Sequence, residues 1–169
     1  KLFVGIKYGV DGKHVAMSIA TKVDEKIFVE SIDCQSVRNG NTWIISFLKE
    51  ADIEKVVIDG SGSQQILSDE IKDYGIKLKL VLPKVSDVVV ANNMFEQAVT
   101  SSKNICHNDQ PSLKQIVTNC KRRAIGTNGG FGFKAMMEEH EIALLDSVIL
   151  AHWACATYKG VKKKQKISC

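Results

Sequence analysis

Residues 2–8, 14–20 and 27–33 are short, mainly apolar segments rich in Val, Ile and Phe. Such segments bounded by turn residues read as β-strands. Gly9-Val10-Asp11-Gly12 and Val23-Asp24-Glu25-Lys26 supply turn residues between them. Links this short predict an antiparallel meander. The pattern then changes. Trp43, Ile44, Phe47, Leu48 and Ala51 repeat at helical spacing behind Asn41, a good helix cap. A strand over 55–59 follows, then the turn Gly60-Ser61-Gly62-Ser63. Residues 63–74 read as a helix with Ile66, Leu67 and Ile71 inward and Gly75 as its stop.

Residues 76–82 alternate as a further strand ending at Pro83. Ser86 is placed to cap a helix bearing Val88, Ala91, Phe95, Ala98 and Val99. Pro111 suits the first turn of a short helix running to about residue 120. Asn128-Gly129 marks a hairpin turn inside 125–133. A long helix is predicted over 135–158. The right-handed crossover rule places the two later strands parallel beside the first. The expectation is an α/β domain over residues 1–160, with a central mixed five-stranded sheet: three antiparallel strands, then two parallel, flanked by helices. Residues 161–169 are expected to be a basic, disordered tail.

Against this pattern two aspartates stand out. Asp59 ends the apolar run of its strand, and Asp146 interrupts Leu144-Leu145-Asp146-Ser147-Val148-Ile149, which is apolar on nearly every helical face. A carboxylate in such surroundings needs a partner, because removing it from water costs several kcal/mol or more. Each also has a local reading: Asp59 as a turn or helix-cap residue, Asp146 as the cap of a helix segment starting at Ser147. Taken together at a sheet end, they form a hard-oxygen site suited to Mg²⁺ or Mn²⁺.

Composition bounds the alternatives. The 169 residues carry a net charge of +4, with 44% hydrophobic and 25% charged residues, ordinary for a globular domain. No apolar run approaches the roughly 18 residues of a membrane span, and no signal peptide is visible. Lys1 leads straight into strand sequence, so a cut at a domain boundary is expected. Five irregularly spaced cysteines include no CxxC pair, which points to reduced thiols rather than zinc or disulfides. Gly60-Ser61-Gly62-Ser63 lacks the Gly-Lys-Ser/Thr ending of a phosphate-binding loop, so ATP hydrolysis is not expected.

The stretches Val4-Gly5-Ile6-Lys7-Tyr8-Gly9, Val57-Ile58-Asp59-Gly60-Ser61-Gly62, Val81-Leu82-Pro83 and Ala91-Asn92-Asn93 appear in a specific order. They continue with His107-Asn108-Asp109-Gln110-Pro111-Ser112-Leu113, Gly129-Gly130-Phe131-Gly132-Phe133 and the run from Leu145 to Trp153. In this order they resemble the C-terminal nuclease domain of the large terminase subunit of tailed bacteriophages, of the RNase H-like superfamily.

The resemblance implies a metal-dependent endonuclease that cuts concatemeric viral DNA during packaging, with one or two Mg²⁺ or Mn²⁺ ions. It implies double-stranded DNA, a preceding ATPase domain, a small terminase subunit and a portal as partners, no membrane, and the host cytoplasm as location. It also implies three acidic residues. Asp59 and Asp146 match the second and third, as metal ligands. Lys7 stands where the first carboxylate belongs.

Lys7 can pair with Asp59 or Asp146 and occupy the space of one cation; Asp11 in the following turn is a candidate substitute ligand. A Lys7 on the solvated sheet edge is the plain alternative. Lys121, Arg122, Arg123 and Lys134, around the glycine-rich hairpin, are candidate DNA contacts. Favourable charge at a helix C-terminus explains the first three equally well. Phe131 and Phe133 are expected to pack beneath the hairpin. His107, His140 and His152 are weighed as metal or proton-transfer groups, with a structural role preferred for His152. Glu138, Glu139 and Glu141 suit the first turns of the long helix, one of them a further candidate near the site. A non-cleaving DNA-binding or docking module, and a resolvase- or transposase-type nuclease, are the competing readings.

Overall fold

A computed structural model describes residues 1–137 and 140–160. Glu138, Glu139 and the tail 161–169 lie outside the described residues. The three-strand meander is β1 (Leu2–Tyr8), β2 (His14–Val23) and β3 (Lys26–Ser36). After α1 (Thr42–Glu50) comes β4 (Ile53–Asp59), then α2 (Ser63–Asp73), β5 (Leu80–Val81) and α3 (Val85–Thr100). The chain continues through β6 (Ile105–His107), α4 (Pro111–Thr118), the hairpin β7 (Cys120–Ile125) and β8 (Gly130–Ala135), and α5 (Ala143–Ala156).

Among the described residues the main sheet has six strands in the order β5-β4-β1-β2-β3-β6, one more than expected. β1 and β2 pair antiparallel, as do β2 and β3, while β4 runs parallel to β1 and β5 parallel to β4. The extra strand β6 adds parallel to β3 over Ile27–Val29. At three residues it is too short to show a period.

Each face of the sheet buries its own core. Val4, Ile6, Val15, Met17, Val56 and Ile58 pack against Ile44, Leu48, Leu67 and Ile71 of α1 and α2. Phe3, Ala16, Val29 and Val57 pack against α3, α4 and α5 through Phe95, Leu113, Leu145, Val148 and Ile149. Alternation along β1 therefore directs Lys7 to the α5 side, with Phe3 and Gly5. The same parity along β4 directs Asp59 there, with Val57.

Several local expectations are corrected. Ile66 is 60% exposed; Leu67, Ser68 and Ile71 make the inward face of α2. Asn41 makes no side-chain cap and instead bridges the Tyr8 hydroxyl (2.8 Å) and Glu70 (2.8 Å). Asp87, rather than Ser86, closes the start of α3 by accepting the Lys84 N–H. The last helix begins at Ala143, eight residues later than expected: Ala135 closes β8 and the Met136 N–H donates to the Asn119 carbonyl at 2.8 Å, which keeps the chain in the hairpin there. The basic cluster 121–123 accordingly lies on β7, not at a helix C-terminus. The hairpin turn at Asn128-Gly129 is present. Cys34, Cys106, Cys120 and Cys155 are free thiols, and no helix among the described residues is long and apolar enough to cross a membrane.

Candidate metal centre

The centre begins with a register. β1 and β4 run parallel with Lys7 beside Asp59, so both side chains leave the sheet together at its carboxyl end. The Lys7 ammonium lies 2.5 Å from Asp59 Oδ2, and the two side chains are only 12% and 18% exposed. Asp59 thus serves neither as a turn residue nor as a helix cap: α2 starts behind Gly62 with no side-chain cap. Lys7 is not on a solvated edge, since β1 is an inner strand.

Asp146 arrives from α5. The helix lies so close over β1 that a Cβ on Gly5 would stand 2.1 Å from the Ser147 carbonyl oxygen and 2.5 Å from the Ala151 nitrogen. Only glycine permits that approach. A buried hydroxyl pair, Ser18 Oγ to Ser147 Oγ at 2.6 Å, fixes the same turn of the helix. Asp146 sits within a continuous α5, its N–H donating to the Ile142 carbonyl at 3.0 Å, so it caps no second segment.

Lys7, Asp59, Asp146, Asn92 of α3 and Arg123 of β7 border one cavity of about 20 Å³, closed by Val88, Ile125, Gly132, Ile149 and Leu150. This holds little more than one water-sized particle. Burial pushes the Asp146 carboxyl up to about 6, an effect opposed by the charges of Lys7 and Arg123 and reinforced by Asp59 and Glu141. Two carboxylates thus face two cations, and the centre is neutral by its own side chains.

Asn92 was not anticipated as a site residue. Its Nδ2 donates to the Val88 carbonyl at 2.8 Å, which leaves Oδ1 buried without a hydrogen-bond partner. Asn92 lines the cavity of the two carboxylates, and a buried unpaired acceptor there is a donor a cation could use. The donor set Asp59, Asp146 and Asn92 is therefore all-oxygen and fits one divalent ion, with Lys7 occupying the remaining corner.

The other candidates disperse. Asp11 does not border this cavity; it lies with His14 and Glu141. Arg122 pairs with Glu96 of α3 and stacks over Phe131, 4.3 Å from the ring centroid. Lys121 and Lys134 are exposed and face each other across the hairpin. Phe133 packs against the main core and Phe131 meets it edge-on at 5.7 Å. His152 is buried against Phe95, and desolvation lowers its pKa to about 4, a structural position. His107 is exposed and accepts from the Asp109 N–H, while His140 meets Gln115.

A mixed sheet whose parallel neighbours β1 and β4 end on Lys7 and Asp59, with Asp146 brought over them by the last helix, has the RNase H-like fold. Comparison narrows this to the fold of phage large-terminase nuclease domains. The large terminase of bacteriophage HK97 superposes with a TM-score of 0.67 at 15% identity, over 89% of this chain and 39% of that one. The large terminase nuclease from thermophilic phage G20c, with bound magnesium, gives 0.64 at 13% identity, over 94% of this chain and 82% of that one. The nuclease domain of the large terminase from bacteriophage SPP1, with bound Mn, gives 0.54 at 14% identity, over 89% and 84%. The chain therefore spans well under half of the HK97 protein. No family model matches the sequence, and no curated protein matches it.

Proposed function

We propose that this chain is the divalent-metal-dependent endonuclease domain of a phage large terminase subunit, cutting concatemeric double-stranded DNA during genome packaging. The observation that carries the reading is the convergence of Asp59, Asp146 and Asn92, whose Oδ1 is unpaired, around one small cavity within this fold. Asp59, Asp146 and Asn92 would hold a single Mg²⁺ or Mn²⁺. Such an ion, when bound, supplies an activated water and charge stabilisation at a phosphodiester.

The remaining work belongs to the side chains. Lys7 holds Asp59 in one orientation and adds positive charge where a phosphate oxygen would develop negative charge. Arg123 faces the same cavity and can neutralise a scissile phosphate. Lys121, Arg122 and Lys134 form the proposed phosphate-contacting rim. A preceding ATPase domain, the small terminase subunit and the portal are the proposed partners, in the host cytoplasm.

One observation favours a second reading. The Lys7–Asp59 contact takes a lone pair that a metal would use, so the domain would bind DNA or dock the motor without cutting. The Gly-Gly-Phe-Gly-Phe and Gln-Pro-Ser-Leu segments speak against a resolvase or transposase. Plasmid nicking in Mn²⁺ by the parent, Asp59→Ala and Lys7→Asp separates the two. Nicking by the parent that Asp59→Ala abolishes supports the endonuclease. Nicking that appears only in Lys7→Asp supports the disabled module, and none in any of the three sinks the nuclease.

A further inference from the structure

A second group of metal-type ligands lies at the same end of the sheet, outside the cavity just described. Asp11 sits in the turn between β1 and β2, His14 opens β2, and Glu141 lies two residues before α5. One ligand atom from each lies within 4.8 Å of the others. His14 Nδ1 stands 2.8 Å from Glu141 Oε2. That nitrogen is shielded from solvent, and its geometry makes no hydrogen bond even at this ion-pair distance. A ring nitrogen and a carboxylate oxygen at this separation are spaced as neighbouring ligands of one ion are. Two donors about 2.1 Å from one ion at a right angle stand about 3 Å apart.

The supporting contacts also look inward. Asp11 Oδ1 accepts the Lys13 N–H at 2.9 Å, fixing the turn. Glu141 Oε1 accepts the Ala143 N–H at 3.2 Å, tying its carboxylate to the start of α5. Both carboxylates lean over Gly9. A Cβ there would meet Asp11 Oδ1 at 3.0 Å and Glu141 Oε1 at 3.3 Å, so the absent side chain keeps the space between them clear. Among the described residues neither carboxylate forms an ion pair with a lysine or arginine. Two carboxylates thus converge on one imidazole, and among the described residues no lysine or arginine offsets their repulsion. Asp11 is exposed and His14 and Glu141 are part-exposed, so an ion can enter from solvent.

We propose that Asp11, His14 and Glu141 bind a first-row divalent cation, Mn²⁺, Co²⁺ or Zn²⁺ in preference to Mg²⁺ or Ca²⁺. One imidazole and two carboxylates make a borderline donor set that favours these ions over the hard cations, which prefer oxygen alone. The site fastens the β1–β2 turn to the start of the last helix. It stands independently of the nuclease reading, because it uses none of Lys7, Asp59, Asn92 or Asp146.

The test is Co²⁺ titration of the whole chain, followed by calorimetry and by the visible absorption of the bound ion. The parent should bind Co²⁺ more tightly than Mg²⁺. His14→Ala should weaken Co²⁺ binding about 100-fold and abolish the absorption due to the nitrogen ligand. Glu141→Gln, which keeps the shape of the side chain, should do the same with an unchanged melting temperature in chelator, which guards against a misfolded His14→Ala. The double variant Asp59→Asn/Asp146→Asn should retain this binding whether or not the domain cuts DNA. Undiminished Co²⁺ binding in both His14→Ala and Glu141→Gln overturns the proposal, as does a parent that ignores millimolar Co²⁺. Loss of all binding in the double variant with His14 intact assigns the ion to the other centre and overturns it equally.

Discussion

Two clusters of carboxylates share one end of the sheet and differ in how their charge is met. In the inner cluster, Asp59 and Asp146 face Lys7 and Arg123 around a cavity of about 20 Å³. In the outer one, Asp11 and Glu141 meet His14, with no lysine or arginine paired to either among the described residues and with solvent at hand. An ammonium 2.5 Å from a carboxylate must be displaced or bypassed before an ion binds. Among the described residues the outer cluster has no such competitor. The contrast teaches that the number of acidic residues says little about metal affinity. What decides it is whether the protein already supplies the cation.

Both clusters depend on how α5 is seated, so the widest disturbance comes from unseating it. Gly5→Ala would drive a methyl into the backbone of the helix at Ser147 and Ala151. We expect a loss of about 3 kcal/mol, seen as a fall of roughly 10 °C in melting temperature for a domain of this size. Co²⁺ binding at the outer cluster should weaken too, since Glu141 is fastened to the first turn of α5. A variant with unchanged melting and unchanged binding would show that α5 has another seat.

Removing the internal cation should make the inner cluster behave like the outer one. Lys7→Met leaves a largely buried Asp59 without its partner, and about 2 kcal/mol should be lost in chelator. Mn²⁺ should then stabilise the variant by more than it stabilises the parent, at about 1.4 kcal/mol for each tenfold excess over its dissociation constant. Equal stabilisation of parent and variant by Mn²⁺ would mean that Lys7 does not compete with the ion.

The two clusters should also separate by pH. The Asp146 carboxyl is raised from 3.8 to about 6 by burial, so between those values the folded state holds a proton that the unfolded state has released. Stability from this group is therefore present at low pH and lost as pH rises towards 6. His152, on the same helix, acts oppositely. Its pKa is lowered from 6.5 to about 4, so its contribution is present above 6.5 and lost as pH falls to 4. The two offset each other across much of the same window. In chelator, Asp146→Asn should unmask a fall in stability on acidification, with a change relative to the parent on the order of 2 kcal/mol between pH 4 and 6. A constant difference from the parent across that range would place Asp146 in a wetter environment than the cavity provides.

How far the sequence reveals these clusters follows from the length of the signals. The β1–β3 meander, β4 and α2 each carry several periods of hydrophobic spacing, and the strand-end position of Asp59 follows from them. Asp146 is conspicuous because it interrupts an apolar helix. The outer cluster has no such mark. His14 lies in a turn-to-strand junction where polar residues are ordinary, and Glu141 reads as one of four near-adjacent acidic or imidazole residues before a helix. Their meeting depends on where α5 begins, and the long-helix reading from 135 misplaced that start by eight residues. Ala135 pairs with Cys120 across the hairpin and the Met136 N–H goes to the Asn119 carbonyl at 2.8 Å, a tertiary pairing that helical spacing does not contain. Asn92 is hidden for a different reason: an asparagine in a helix is informative only once its unpaired oxygen is seen.

The smallest change should come from the second cation of the inner cluster. Arg123 borders the cavity, while its Nε also donates to the Phe133 carbonyl at 3.2 Å, so the hairpin holds part of its guanidinium in place. Arg123→Gln removes one positive charge near Asp59 and Asp146 and leaves the Lys7 contact intact. At the distances and effective dielectric of a partly buried site, that is worth about 1 kcal/mol, or roughly fivefold in Mn²⁺ affinity. Calorimetry on the Arg123→Gln variant in a His14→Ala background isolates the inner cluster from the outer one. Affinity rising there, with Co²⁺ binding at Asp11, His14 and Glu141 unchanged when His14 is present, would show that charge supplied by the protein sets the difference between the clusters. An unchanged inner affinity would assign that difference to Lys7 alone.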